Sequence, residues 1–312
     1  MHRPIIIGTR DSKMAIKMAN YVAAQLKEQY SDIQIEVKAF KSDGCLHKGD
    51  LRLIGGKGAF TRNLDEKLQH GEIDCAVHCL KDIPGDVPGP EGTKILAMLE
   101  RKDPRDSLIM REGMTKVEPH HVLATSSPRR RAFLKHMYPE NKIIPLRGNA
   151  DTRLRKLMDE QFDAMVLSYC GLQWLGLESH ATKVFSPDEF LPSVGQGSLC
   201  LRVREEDIKV CKYLRSLNNT QSEMTAAAER EMLWILKGDC HSAIAGYCTF
   251  ENEQLHMRGI VASPDGSEFV EASASQSVSE APKDLGKLIA EELIKKGAKK
   301  YLGACARLPL YS

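Results

Sequence analysis

The chain has 312 residues, of which 42% are hydrophobic and 28% charged, and its formal net charge is +2. This length exceeds a typical single domain and predicts two or three domains, each with its own core. The ordinary composition excludes a disordered or collagen-like chain, and the small net charge gives no indication of a nucleic-acid partner.

Nine cysteines are scattered without a CxxC pair, which favours a reducing compartment and argues against a structural zinc site. The start of the chain runs from Met1 to Pro4 directly into Ile5–Ile7 and lacks the features of a signal peptide. No stretch approaches the ~18 apolar residues that cross a bilayer. We therefore expect a cytoplasmic protein without a bound metal or a membrane partner.

The first half alternates short apolar runs with helical periodicity, which is typical of βα units around a mostly parallel sheet. The predicted elements are a strand at 5–7, a helix at 14–30, a strand at 33–40, a glycine- and charge-rich loop at 41–59, a helix to His70 and a strand at 74–77. A second set begins near Asp103, with strands at 122–124, 143–146 and 162–169.

The last third of the sequence has a different pattern of predicted helices and strands. A strand at 199–203 follows Gly195-Gln196-Gly197, and we expect the chain to cross back to the first domain there. A helix at 224–236, strands at 255–262 and 268–273 around Pro264-Asp265-Gly266, and an amphipathic helix at 284–296 predict an α+β module.

Arginines and hydroxyls follow several predicted strands. Thr125-Ser126-Ser127-Pro128-Arg129-Arg130-Arg131 comes directly after one strand, and Arg147-Gly148-Asn149 with Asp151-Thr152-Arg153 comes after the next. Free N–H groups at a helix start and guanidinium groups together form an anion site, although a capped helix with solvated arginines would look the same. Ligands of open α/β sheets collect beyond the carboxyl ends of strands, so both turns predict a polycarboxylate or polyphosphate site. Arg10 and Ser12 follow the first strand in the same way.

The glycine-rich Gly55-Gly56-Lys57-Gly58 does not fit a phosphate-binding P-loop, because Lys57 is followed by glycine instead of serine or threonine. ATP binding is therefore disfavoured. Two interpretations stay open for this segment: a flap whose Lys57 and Phe60 cover a ligand, or a flexible loop before a helix.

Two further residues are candidates for chemistry. Asp82 follows a strand end and could stabilise a cation or relay a proton, or it could simply form a salt bridge. Cys240 lies in a turn of the third module and could be a nucleophile, although most lone cysteines are packing residues.

Taken together, these segments resemble the porphobilinogen deaminase (hydroxymethylbilane synthase) family from Ile5 to about Phe250. The blocks that carry the resemblance are Gly8-Thr9-Arg10-x-Ser12, Ile54-Gly55-Gly56-Lys57-Gly58-x-Phe60, Asp74-x-Ala76-Val77-His78-x-Leu80-Lys81-Asp82-Ile83-Pro84, Asp103-Pro104-Arg105-Asp106, Thr125-Ser126-Ser127-x-Arg129-Arg130, Arg147-Gly148-Asn149-x-x-Thr152-Arg153-Leu154, Gly195-Gln196-Gly197 and Ala228-Glu229-Arg230.

The resemblance implies an α/β fold with two doubly wound lobes like those of periplasmic binding proteins and a smaller C-terminal α+β domain. The implied domains are residues 1–97 with 198–215, residues 103–191, and residues 220–312 with the cofactor cysteine. The implied activity joins four porphobilinogen molecules, with loss of ammonia, into the linear tetrapyrrole hydroxymethylbilane. A dipyrromethane primer would be held by a thioether at Cys240.

The resemblance also implies roles for individual residues. Asp82 would be catalytic and would stabilise the azafulvene cation formed when ammonia leaves. The implied cofactor contacts, besides Cys240, are Lys81, Thr125, Ser127, Arg129, Arg130, Arg147 and Arg153. The implied substrate contacts are Arg10, Ser12, Lys57, Phe60 and Gln196. We expect a monomer with a small-molecule substrate and no metal.

The sequence departs from the family pattern at five positions: Cys79 in place of serine, Pro128 in place of leucine, Trp174 in place of arginine, Arg202 in place of glutamate and Asp239 in place of glycine. Losing an arginine at 174 removes a charged hydrogen bond, about 1.5–3 kcal/mol, for which Arg202 is a candidate replacement. Two other functions remain open: a non-catalytic anion-binding homologue, and a cysteine hydrolase using Cys240 and His241. Adjacent residues rarely orient as nucleophile and base, which disfavours the hydrolase.

Overall fold

The computed structural model describes residues 3–41, 58, 61–238 and 242–302 of the chain. The chain divides into two compact units, the first of residues 1–102 with 197–223 and the second of residues 103–196 with 224–312. The three domain ranges expected above remain predictions.

The strands are β1 (Ile5–Arg10), β2 (Ile35–Phe40), β3 (Cys75–Cys79), β4 (Thr93–Met98), β5 (Asp106–Met110), β6 (Val122–Ala124), β7 (Lys142–Ile144), β8 (Ala164–Ser168), β9 (Lys183–Val184), β10 (Leu199–Arg204), β11 (Ile244–Glu251), β12 (Gln254–Ala262) and β13 (Phe269–Ser277). The described α-helices are α1 (Lys13–Gln29), α2 (Arg62–Gln69), α3 (Pro128–Met137), α4 (Ala150–Met158), α5 (Tyr169–Leu175), α6 (Ile208–Arg215), α7 (Thr220–Ile235) and α8 (Pro282–Lys295).

Two five-stranded sheets have the same plan. The first has the order β2-β1-β3-β10-β4 and the second the order β7-β6-β8-β5-β9. In each, three neighbouring strands are parallel, and the next strand, β10 or β5, is antiparallel to both of its neighbours. The third sheet, β11-β12-β13, is antiparallel. The predicted fold class, two α/β lobes and a smaller α+β domain, is confirmed.

Local sequence explains how the helices follow the strands. Ser12 and Ser127 accept hydrogen bonds from the backbone N–H groups of Ala15 and Arg130, and so they cap α1 and α3. The buried face of α1 carries apolar residues such as Met18 and Leu26 at helical spacing. These caps fix the polar turns at the carboxyl ends of β1 and β6.

The sequence located most elements but not all of them. The predicted return of the chain to the first sheet is the strand β10. The strands β4, β5, β9 and β11 were not predicted, and the strand expected at 143–146 ends at Ile144. The helix expected from Met224 begins at Thr220.

The helix α7 is joined to the third sheet by a buried carboxylate and a close contact. Glu229 accepts hydrogen bonds from the backbone N–H groups of Gly195 at 2.7 Å and Cys248 at 2.8 Å. Gly246 and Gly259 face each other on β11 and β12, and a Cβ atom at either position would overlap the buried Met232 side chain. The paired glycines therefore let α7 lie directly on the sheet.

Arg202 belongs to a buried charge network in the first unit. Its Nη1 lies 2.9 Å from Asp65 Oδ2, and the other carboxylate oxygen of Asp65 lies 3.2 Å from His78 Nε2. Only 5% of the Arg202 side chain is exposed. The suggestion that Arg202 replaces a carboxylate-binding arginine is therefore wrong, because its charge compensates Asp65.

Burial by itself would raise the pKa of Asp65, but the hydrogen bond and charge of His78 and the charge of Arg202 lower it below its ordinary value. Asp65 therefore stays ionised inside the unit and holds α2 against β3 and β10.

We expect Arg202→Glu, the common family residue, to lower the free energy of unfolding by about 3–5 kcal/mol, because it removes the partner of a buried carboxylate. Urea unfolding at pH 7 measures this loss. The control is Lys67→Glu on α2, the helix that also carries Asp65. This change breaks the surface pair with Glu72, which lies beyond the end of the helix, and should cost under about 1 kcal/mol. Equal effects of the two changes would contradict the buried network.

The same network predicts a pH dependence. Since the folded pKa of Asp65 is lowered, its stabilisation is present above the unfolded pKa of about 4 and is lost as the pH falls through the folded value. The stability difference between the wild type and Asp65→Asn should be constant above about pH 5 and shrink below about pH 4. Urea unfolding between pH 7 and pH 3 tests this, and a difference unchanged at pH 3 would refute it.

Candidate active site

The carboxyl ends of β1 and β3 bring predicted site residues to one edge of the first sheet. β1 ends at Arg10, and a 3-10 turn, Leu80–Asp82, follows the parallel strand β3. Arg10 Nη2 donates to Asp82 Oδ2 at 2.9 Å, with 16% and 24% of the two side chains exposed. A carboxylate thus lies at this edge beside a guanidinium group, and a ligand can reach both.

Ser12 and Lys81 are close to this pair in sequence. The Ser12 hydroxyl is buried and accepts from Ala15 N at 3.3 Å, so its own hydrogen can still be donated. Lys81 is half-buried in the turn that carries Asp82. Their contacts with a ligand remain predictions.

In the second unit, the predicted hydroxyls organise the turn between β6 and α3. Thr125 Oγ1 accepts from Ser127 N at 3.2 Å, and Ser127 Oγ accepts from Arg130 N at 3.4 Å. Pro128 occupies the first turn of α3, where its missing N–H costs nothing, so this departure suits the fold.

Arg129 and Arg130 are both directed at one buried carboxylate. Arg129 Nη2 donates to Asp106 Oδ2 at 2.6 Å, and Arg130 Nε donates to Asp106 Oδ1 at 2.9 Å. Their Nη1 atoms donate to the carbonyl oxygens of Leu191 at 2.8 Å and Val166 at 3.1 Å. We expected two arginines oriented toward a ligand, but burial requires a counterion within the protein, and Asp106 supplies it.

Arg147 and Arg153 complete an arginine cluster with Arg130. Arg153 Nε donates to Gly148 O at 2.7 Å, at a turn where Gly148 has a φ of +113°. Burial, followed by the charges of Arg130 and Arg147, lowers the pKa of Arg153 to about 10. Among the described residues, no carboxylate contacts Arg153. An added anion would relieve the repulsion, so this arginine cluster (Arg130, Arg147 and Arg153) fits a carboxylate ligand.

Gln196, a predicted substrate contact, is tied to the segment before β5. Its side chain is buried, and Nε2 donates to Pro104 O at 2.6 Å. The Gln196 amide therefore holds the segment that leads into β5 and Asp106. Its contact with a substrate remains a prediction.

Three predicted site residues, Lys57, Phe60 and Cys240, lie outside the described residues, as does Asp239. Gly238, two residues before Cys240, packs so closely against Leu233 and Ile244 that a Cβ atom there would overlap both side chains. The family departure Trp174 lies half-buried in α5, and Cys79 Sγ lies 3.7 Å from Met18 Sδ.

Sequence reasoning assigned no role to Asp106 or Glu229, which the structure shows to be buried acceptors of strong hydrogen bonds. Both belong to blocks that carry the family resemblance. Their position in those blocks was the one sign in the sequence that they matter. Their roles could not be predicted, because their hydrogen-bond partners are distant in sequence.

In the described part of the chain, no group of three His, Cys, Asp or Glu side chains could hold a metal ion. Nor do the described helices include one that is long and apolar enough to cross a membrane.

Comparison with known proteins agrees with these features. The family model described as "Porphobilinogen deaminase, dipyromethane cofactor binding domain" matches residues 5–212, and "Porphobilinogen deaminase, C-terminal domain" matches residues 224–295. Porphobilinogen deaminase of Listeria innocua serovar 6a is 38% identical over 305 residues, covering 96% of this chain and 97% of the relative. That of Lawsonia intracellularis is 38% identical over 301 residues, covering 95% and 96%.

Among solved structures, the methionine binding protein MetQ is similar with a TM-score of 0.44 and 14% identity, covering 72% of this chain and 94% of MetQ. The family matches span nearly the whole chain, and they include the strand ends with Asp82 and the arginine cluster. The chain therefore belongs to the porphobilinogen deaminase family.

Proposed function

We propose that this chain is a hydroxymethylbilane synthase, a transferase of tetrapyrrole and heme biosynthesis. It joins four porphobilinogen molecules head to tail, with loss of ammonia at each addition, on a covalently bound dipyrromethane primer. Family membership supports the activity. The observation that carries the assignment to these residues is the arginine cluster, in which Arg153 has no carboxylate partner among the described residues.

The residues present fit a dipyrromethane group, whose acetate and propionate side chains are anionic. Arg147 and Arg153 would bind these carboxylates together with Arg130, and Thr125 and Ser127 would donate hydroxyl hydrogens. Lys81 completes the proposed set, with Cys240 as the covalent attachment. Arg129 contributes through its ion pair with Asp106, because its side chain is enclosed by the protein. When bound, the group supplies the pyrrole end to which further rings are added.

Asp82 is the proposed catalytic residue. It is a partly exposed carboxylate at a strand end, and Arg10 holds its Oδ2 at 2.9 Å. A negative charge fixed there stabilises the cation that forms when ammonia leaves porphobilinogen, and the carboxylate can accept and return the proton that moves at each condensation.

The proposed substrate contacts are Arg10 and Ser12 beside Asp82, with Lys57 and Phe60 from the glycine-rich segment. Each porphobilinogen brings two carboxylates, which explains why a nearly neutral chain carries arginines after so many strands. Gln196 is also a proposed substrate contact, and its bond to Pro104 holds the segment that leads into Asp106.

We propose a monomeric cytoplasmic enzyme that acts on a small molecule without nucleic-acid or membrane partners. The net charge of +2 gives no indication of a nucleic-acid partner, and nine scattered cysteines without a CxxC pair favour a reducing compartment. No observation favours the non-catalytic anion-binding alternative.

Cys240→Ser should fold but carry no covalent pyrrole adduct and show no activity, because a serine hydroxyl is a far poorer nucleophile than a thiolate. Intact-mass spectrometry of the purified chain measures the adduct. The control is Cys211→Ser, which changes a half-buried cysteine of α6 and should keep the adduct. A wild-type chain that never acquires an adduct in the presence of porphobilinogen would favour the anion-binding alternative.

Asp82→Asn keeps the shape of the side chain but removes its charge, and we expect kcat to fall by at least about 100-fold. Asp82→Glu keeps the charge and should retain measurable turnover. Both variants are compared as preformed holoenzyme under identical conditions, so that cofactor assembly does not enter the result. If Asn supported turnover as well as Glu, Asp82 would be only a salt-bridged turn residue.

A further inference from the structure

Asp106 is a fully buried carboxylate to which none of the proposed steps assigns a role. It is the first residue of β5 and has an exposed fraction of 0%. Its two oxygens divide between adjacent arginines: Arg129 Nη2 reaches Oδ2 at 2.6 Å, while Arg130 reaches Oδ1 through Nε at 2.9 Å and through Nη2 at 2.7 Å. Two nitrogen atoms of Arg130 thus contact one carboxylate oxygen, which fixes the plane of the guanidinium group.

The backbone around Asp106 is held in the second sheet. Asp106 is paired with Ser168 of β8, and its carbonyl oxygen accepts from Phe185 N at 3.0 Å. Arg130 Nη1 donates to Val166 O on the same strand β8. The carboxylate therefore stands on a rigid support, and the guanidinium group of Arg130 is tied to that support at two points.

The two arginines have different surroundings. Arg129 is enclosed by the protein: it donates to Leu191 O, and its guanidinium group lies 5.4 Å from the centre of the Phe190 ring. Arg130 lies near enough to Arg153 for its charge to lower the pKa of that residue. Asp106 carries one negative charge, whereas Arg129 and Arg130 carry two positive charges. A net positive charge therefore remains beside Arg147 and Arg153.

We propose that Asp106 is a positioning residue for the carboxylate-binding site: it compensates the enclosed Arg129 and fixes Arg130 beside Arg147 and Arg153, where ligand carboxylates bind. This inference rests on the proposed function, because it takes the arginine cluster as the site of cofactor and substrate carboxylates. Asp106 does not itself touch the ligand, which it would repel.

The test compares Asp106→Asn with Asp74→Asn. Asp74 is a matched control because it is also buried and also accepts from two arginines, Arg3 and Arg204, but it lies in the first unit at the start of β3. Both variants lose a buried carboxylate, so both should unfold at a lower urea concentration.

Only Asp106→Asn should change ligand binding. In holoenzyme, its KM for porphobilinogen should rise by about 10- to 100-fold, the range expected for one charge-assisted hydrogen bond, with kcat changed much less. Apoprotein prepared in a host that makes no porphobilinogen should acquire the adduct mass correspondingly more slowly on adding porphobilinogen. Asp74→Asn should match the wild type in both measurements.

Asp106→Glu and the double variant Asp106→Asn with Arg129→Gln separate positioning from folding. Asp106→Glu keeps the charge and should restore part of the binding. The double variant removes one buried charge of each sign, so it should fold even if Asp106→Asn does not. Because Arg130 still lacks its carboxylate partner in the double variant, the raised KM should persist.

A folded Asp106→Asn or double variant with wild-type KM and wild-type adduct formation would overturn the inference. So would an equal rise of KM in Asp74→Asn. Failure of the proposed function is distinguishable, because a wild-type chain without adduct and without turnover would show it before any variant is compared.

Discussion

The ion pairs of Asp106 with Arg129 and Arg130 are the interaction on which the proposed anion site depends. Two adjacent guanidinium groups cannot be buried side by side without a counterion, and the carboxylate at the start of β5 provides one. The same solution recurs in the first unit, where Asp65 compensates Arg202 and Asp74 compensates Arg204. Arg153, which lacks such a partner among the described residues, therefore differs from the structural arginines.

The shared plan of the two large sheets explains why their polar residues follow strand ends. In both, parallel strands end at one edge and deliver Arg10 and Asp82 in the first sheet and the turns after β6 and β7 in the second. The antiparallel strands β10 and β5 run in the opposite direction, so they begin at that edge. Asp106, the first residue of β5, and Arg202 on β10 are both buried and form ion pairs within the protein.

The sequence predicted the fold class and the strand ends with Asp82 and the arginines, because apolar runs followed by polar turns are local patterns. It did not predict β5, a five-residue strand that follows the charged Asp103-Pro104-Arg105. Nor could it predict the partners of Arg129, since Asp106 lies 23 residues away and no periodicity links the two. β11 was missed for a related reason: its Gly246 interrupts the strand pattern, and the need for glycine appears only once Met232 is seen against it.

The consequence of each departure from the family pattern depends on where the residue lies in the structure. Pro128 suits the start of a helix, and Arg202 completes a pair with Asp65 that excludes it from binding ligand. Trp174 is different, because tryptophan lacks the charge that an arginine at 174 would bring, and Arg202 is already paired with Asp65. Under the proposed function each added pyrrole carries two carboxylates, and the arginine cluster would bind them without help from position 174. The fixed orientation of Arg130 on Asp106 would then matter more with tryptophan at 174 than with arginine there, and a loss of either Arg130 or Asp106 would be correspondingly harder to compensate.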